Sequence, residues 1–166
     1  MSQPPVLNIY RLSDPQVRER GEKYHSLHFD VARKLGAKKL GYHLTVLPPG
    51  KRAFPYHFHH VNEELFLVLD GTGSLRWPEG ETPLQPGDLI ACPPGPAGAH
   101  QIINTGNEDL RYLSLSTAEP NEIVEYPDSK KFGAFAGREA GKPFTEAAFF
   151  IFAPRSAGVD YWDGEE

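Results

Sequence analysis

The chain has 166 residues, a formal net charge of −5, and hydrophobic and charged fractions of 39% and 23%. That length allows one domain with a proper core and hardly two. The charge comes without a long Lys/Arg run, which argues against a nucleic-acid partner; no stretch approaches the ~20 apolar residues of a membrane helix, and Cys92, the only cysteine, excludes an internal disulfide.

The opening Met1-Ser2-Gln3-Pro4-Pro5 lacks a charged region followed by an apolar one, so no signal peptide is expected and the expected compartment is the cytoplasm. Asp14 and Pro15 have the residue types of an N-cap and a first helical position, and predict a short helix or turn over residues 13–22. The pattern then changes to period two. Leu40, Tyr42, Leu44 and Val46 alternate with Gly41, His43, Thr45 and Leu47, a half-buried strand ended by Pro48-Pro49-Gly50. Strands are expected next over 64–70, 73–77, 81–84, 88–92, 100–104 and 110–117. Turn signals such as Pro78-Glu79-Gly80, Pro86-Gly87-Asp88 and Thr105-Gly106-Asn107 separate them.

Sixteen glycines and sixteen prolines spread along the chain fit such a turn-rich, all-β protein, a sandwich or barrel. Glu122 to Tyr126 is compatible with a strand, and Ser129 to Lys142 reads as a long loop. Phe149, Phe150 and Phe152 are too apolar to be left in water and are expected to dock on the barrel. Tyr161 and Trp162 stand among carboxylates, in either a frayed acidic tail or a segment that packs on the domain or a second subunit.

Three of the seven histidines are His57, His59 and His60. On a strand His57 and His59 share a face and His60 takes the other. Glu64 leads an apolar alternation with Phe66 and Val68, and a carboxylate there is costly to bury without a positive partner. His100 opens a later strand with Ile102 and Asn104 on its face. Three imidazoles and one carboxylate suit one divalent ion, Zn, Fe, Mn, Ni or Cu, and leave coordination positions open. The competing reading is an internal polar network without metal.

The spacing of these residues resembles the cupins. Their first motif is matched by Gly50, His57-Phe58-His59, Glu64 and Gly71, and their second by Gly87, Pro93-Pro94-Gly95, His100 and Asn104. Two loops are longer than the family pattern, before His57 and before His100, where Gly98 offers a nearer turn. The resemblance covers about residues 40–117. It implies a double-stranded β-helix (jelly-roll) barrel with the metal held inside by His57, His59, Glu64 and His100. The whole chain, 1–166, then reads as a single cupin domain, with a barrel core at about 25–118 and a C-terminal extension at about 119–166 packing on it.

Other residues have weaker claims. His43 is a candidate acid–base group, although a lone strand histidine is more often structural. Tyr56, Phe66 and Asn104 are candidates for substrate contact, Asn104 being also a plausible turn residue before Thr105-Gly106. Arg52 and Trp77 are candidates for the mouth or for holding a substrate anion. His25 and His28, three apart, would face opposite sides of a strand and form no site. The fold family leaves the chemistry open. The resemblance implies a metal-dependent enzyme on a small polar metabolite, a sugar derivative or an organic acid, of isomerase, dioxygenase or decarboxylase type. The alternative is a non-catalytic ligand-binding or sensor protein. A homodimer, a small-molecule ligand and no membrane partner complete the expectation.

Overall fold

The computed structural model describes residues 5–140 and 142–165; Met1–Pro4 of the leader reading and Glu166 of the acidic tail lie outside them. Its strands are β1 (Gln16–Arg20), β2 (Tyr24–Asp30), β3 (Leu40–Leu47), β4 (Phe58–His59), β5 (Glu64–Asp70), β6 (Gly73–Trp77) and β7 (Gly80–Leu84). They continue with β8 (Leu89–Cys92), β9 (Gln101–Ile103), β10 (Leu110–Thr117), β11 (Glu122–Tyr126), β12 (Lys131–Ala136) and β13 (Phe149–Pro154). Among the described residues one short α-helix, α1 (Val31–Lys34), lies after β2 and is capped by the Asp30 side chain. Among the described residues no helix is long and apolar enough to cross a membrane.

The strands order as β1-β2-β3-β10-β5-β8 in one sheet, β7-β6-β9 in a second and β13-β12-β11-β4 in a third. The last two are stitched together by an isolated bridge between His57 and His100, just before β4 and β9. The result is a double-stranded β-helix, with C-terminal strands that extend one wall by hydrogen bonding β11 to β4.

The pleat determines where the core ends and the cavity begins. Register pairs Leu47 with Leu110, Thr45 with Tyr112, His43 with Ser114 and Gly41 with Ser116 across β3 and β10. Across β10 and β5 it pairs Tyr112 with Val68, Ser114 with Phe66 and Ser116 with Glu64. One end of these stripes is therefore apolar and the other polar. Leu47, Val68, Leu110 and Tyr112 join Leu84, Ile90, Cys92 and Ile102 in one buried cluster. Truncating a fully buried member such as Leu47 to Ala would cost about 2–5 kcal/mol.

Two expected elements are corrected. Residues 13–22, expected as a short helix or turn, hold a strand instead: Asp14 has a left-handed φ of 63°, and β1 forms a hairpin with β2. Ser13 hydroxyl bonds to the Asp14 side chain, so Asp14 caps nothing there. With Val17 as its one large apolar residue, the segment has no helical face to bury, and pairing with β2 meets its backbone groups instead. Within the expected loop 129–142 lies β12, paired on both sides, with β11 and β13. Its small residues hide the strand pattern. Gly133 is required because the Phe152 ring covers it and leaves no room for a Cβ.

Candidate metal centre

His57 and His100 exchange backbone hydrogen bonds, 3.2 Å and 2.9 Å, and their rings lie 4.5 Å apart. His57 Nδ1 donates to the Pro55 carbonyl at 2.8 Å, and His100 Nδ1 donates to the Gly98 carbonyl at 2.9 Å. Because a carbonyl can only accept, each Nδ1 carries the proton and each Nε2 lone pair is free when the ring is neutral. Gly98 is needed for this anchor, since a Cβ there would run into the Pro93 carbonyl.

His59 is held in the same way by a carboxylate: its Nδ1 lies 3.3 Å from Glu122 Oε2. Glu122 is buried and also accepts from the backbone N–H groups of His60 (3.1 Å), Val61 (3.0 Å), Asn62 (2.8 Å) and Ile123 (2.8 Å), and from the Asn62 side-chain amide. An extension residue thus clamps the loop that carries a candidate ligand, as the outer shells of metal sites do.

The free Nε2 atoms converge on Glu64. Glu64 Oε2 is 3.3 Å from His59 Nε2 and 3.2 Å from His100 Nε2. Ligand atoms of His57, His59 and Glu64 all lie within 4.8 Å of one another. With these rings neutral and their protons on Nδ1, Glu64 Oε2 is buried without a hydrogen-bond partner. A buried carboxylate oxygen beside two imidazole nitrogens needs positive charge there, from imidazolium protons or a bound cation, and this donor set fits a divalent transition ion.

The titration of the cluster without metal says the same. Burial holds His57 down, to about 3. Burial also opposes charge at His59, but the Glu122 and Glu64 carboxylates outweigh it and lift His59 to about 9. At His100 burial is outweighed by Cys92 and Glu64, and the pKa rises to about 10. Burial works against ionised Glu64, yet His100 and His59 hold it well below the usual carboxylate range. Without a metal, protons supply the positive charge.

The cluster opens into a cavity of about 480 Å³. His43 and Phe66 line it. His43 Nε2 and Ser114 Oγ are buried there without partners. Burial chiefly, then Arg18, lowers the His43 pKa, so its ring is neutral near pH 7. Behind it His28, held by Ser26 at 2.8 Å, is pushed down to about 3 by burial, Arg18 and His43.

Tyr56 and Asn104 do not line this cavity. The Tyr56 ring stacks under Arg76, 4.1 Å away, and Asn104 Nδ2 donates to the Leu47 and Glu108 carbonyls as a buried turn residue. Trp77 bonds to Thr82, and Arg52 sits in backbone bridges to Tyr24 and Ile103; neither lines the cavity. His60 faces away and bonds Glu125 at 2.8 Å, as the strand alternation required. His25 takes no part in the site.

The far wall was not foreseen. It comes from β11–β13 and the following segments: Val124, Tyr126, Phe135, Phe144, Phe150, Phe152. Tyr126 stacks on His57 at 5.9 Å and meets Phe152 edge-on. The aromatic cluster at 149–152 was the available signal; its partner Phe135 was hidden in the expected loop. Arg18, Asn62 and Arg138 also line the cavity, and neither spacing nor motif pointed to them. Tyr161 and Trp162 are exposed and pack on each other, ring edge to ring face.

A family model described as "Cupin domain" matches residues 43–116. The glucose-6-phosphate isomerase of Pyrococcus horikoshii is 31% identical over 148 residues, which cover 80% of this chain and 77% of that enzyme. Auxin-binding protein 1 of Arabidopsis thaliana is 34% identical over 112 residues, 61% of this chain and 54% of that protein. The chain spans between 48% and 77% of the curated isomerases of this name that it matches. Among solved structures, a candidate sugar phosphate isomerase from Acidithiobacillus ferrooxidans superposes with a TM-score of 0.78 at 25% identity, covering 94% of this chain and 96% of that one.

Proposed function

The chain belongs to the cupin superfamily, and on that premise we propose that it is a metal-dependent isomerase of a small phosphorylated sugar. The observation that carries this reading is the convergence of His57, His59, His100 and Glu64 in a cavity that also holds His43, whose Nε2 has no partner. The similarity to the Pyrococcus horikoshii enzyme supports the substrate class. A divalent ion held by His57, His59, Glu64 and His100 would supply Lewis-acid polarisation of neighbouring substrate oxygens.

The chain's own residues do the rest. Neutral, buried His43 takes the proton from the carbon beside the substrate carbonyl and returns it to the adjacent carbon. The hydroxyl proton moves between the two oxygens in step, so aldose and ketose exchange without net loss or gain. Phe66 and the aromatic wall exclude bulk water and present flat faces to the carbon skeleton.

The test is incubation of Zn-, Mn-, Fe- or Ni-loaded protein with glucose 6-phosphate and other aldose phosphates in deuterated water. Ketose phosphate formation, with or without deuterium entering the exchanged position, is followed by NMR. Absence of any conversion with every metal would sink the isomerase reading.

A second reading, a binding protein without turnover, is favoured by the same aromatic wall, which suits a ligand with an apolar face, and by the similarity to auxin-binding protein 1. Saturable binding with no product distinguishes it.

A further inference from the structure

Arg18 is the cavity-lining residue least explained by the fold. It lies on β1, opposite Ser26 of the neighbouring strand. Its guanidinium hangs over the Phe54 ring, 5.4 Å from the centroid, and lines the cavity. Four of the other eight arginines have side-chain companions: Arg33, Arg76 and Arg155 pair with carboxylates, and Arg138, which also lines the cavity, donates to the Glu119 carbonyl. Among the described residues Arg18 has no carboxylate within 4 Å and no side-chain hydrogen bond.

Its surroundings do not compensate the charge. His28 and His43 are both held neutral, and burial, more than Tyr112 can offset, lowers the Arg18 pKa itself. A second cavity-lining group also lacks a partner. Ser114, 3% exposed, faces His43 across the β3–β10 ladder, and its hydroxyl is orphaned inside the cavity. A buried hydroxyl without a partner, as at Ser114, costs about 1–3 kcal/mol, and the guanidinium of Arg18, on a strand exposed to solvent but reaching the cavity, is a ready partner for planar or tetrahedral anions.

We propose that Arg18 and Ser114 form the anion-recognition subsite of the cavity and take the phosphate monoester of the substrate. The proposal rests on the isomerase reading for the identity of the rest of the ligand. The Phe54 ring lies between the guanidinium and His57, 6.1 Å from the latter's ring. A ligand with oxygens at the metal ligands and phosphate at Arg18 would pass beside that ring.

The experiment uses Zn-loaded full-length protein and two probes, gluconate and 6-phosphogluconate, titrated by calorimetry. The wild type is expected to prefer the phosphorylated acid by about 10- to 100-fold, the value of one charge-assisted contact. Arg18→Gln should bring that ratio close to one with unchanged metal content and melting temperature, Arg18→Lys should restore part of it, and Arg138→Gln should keep it. A wild-type ratio near one, or a preference that survives in Arg18→Gln, overturns the subsite. A preference that depends on Arg18 in a protein that isomerises no sugar phosphate upholds the subsite and removes the isomerase reading instead.

Discussion

His57 and His100 are cross-strand partners that exchange both backbone hydrogen bonds while tethering their own Nδ1 atoms to the carbonyls of Pro55 and Gly98. Two candidate ligands far apart in sequence are thus fixed by the main chain, which also joins two sheets at that point. Their side chains can be removed without removing the ladder. Protein never exposed to chelator or acid is expected to carry about one divalent ion per chain by elemental analysis. His100→Ala and His59→Ala should each lose most of it and keep the β-rich circular dichroism. His60→Ala should retain it, because that ring faces Glu125. Metal-free wild type, or loss in His60→Ala equal to that in His59→Ala, would contradict the assignment.

Glu122→Gln tests the clamp behind His59. The substitution keeps shape but removes the charge and puts an N–H where an acceptor faces N–H donors. Metal affinity should fall about 10- to 100-fold, and stability by about 1–3 kcal/mol, read by competition with a chelating dye and by denaturant melts. An unchanged affinity would reduce Glu122 to a loop anchor.

Metal binding should release protons. His59 and His100 titrate near about 9 and about 10 without metal, so at pH 7.5 an incoming ion displaces about two protons. Apparent affinity should therefore climb with pH from about 6 to 9, a window above that of ordinary imidazoles. The metal-free protein behaves oppositely. Raised pKa values contribute stability that is fully present below about 6.5 and lost as pH rises through about 9 to 10. Calorimetry in buffers of different ionisation enthalpy counts the protons, and a buffer-independent heat would refute the scheme.

His43→Gln should lower turnover about 10²- to 10⁴-fold if His43 carries the proton, with metal content and substrate affinity little changed. His43 is buried beside His28, and glutamine keeps a polar group there. Equal kcat in the variant would return the proton transfer to another group.

A homodimer is expected from the sheet edge at β13. Phe149, Ile151 and Phe152 are 53%, 39% and 50% exposed there, an apolar edge strand that a second copy would cover. Light scattering should give twice the 18.5 kDa chain mass. Phe149→Lys with Ile151→Lys should lower it to one chain, and a monomeric wild type at micromolar concentration would remove the prediction.

Sequence alone carried the barrel strands and the inward positions of His57, His59, Glu64 and His100, because a pleated strand gives every second side chain to one face and a motif spacing carries that alternation across turns. It could not carry the groups that gain meaning only from distant neighbours. Arg18 sat in a segment read as a short helix or turn, since no local pattern reveals that its backbone pairs with β2. Glu122 looked like an ordinary strand-opening carboxylate until the third sheet brought it against the backbone of residues 60–62. The aromatic wall depended on β12, whose small residues show no alternation because the Phe152 ring occupies the space above Gly133. Local periodicity records which face a side chain takes. Only the closing of the sheets decides what stands opposite it.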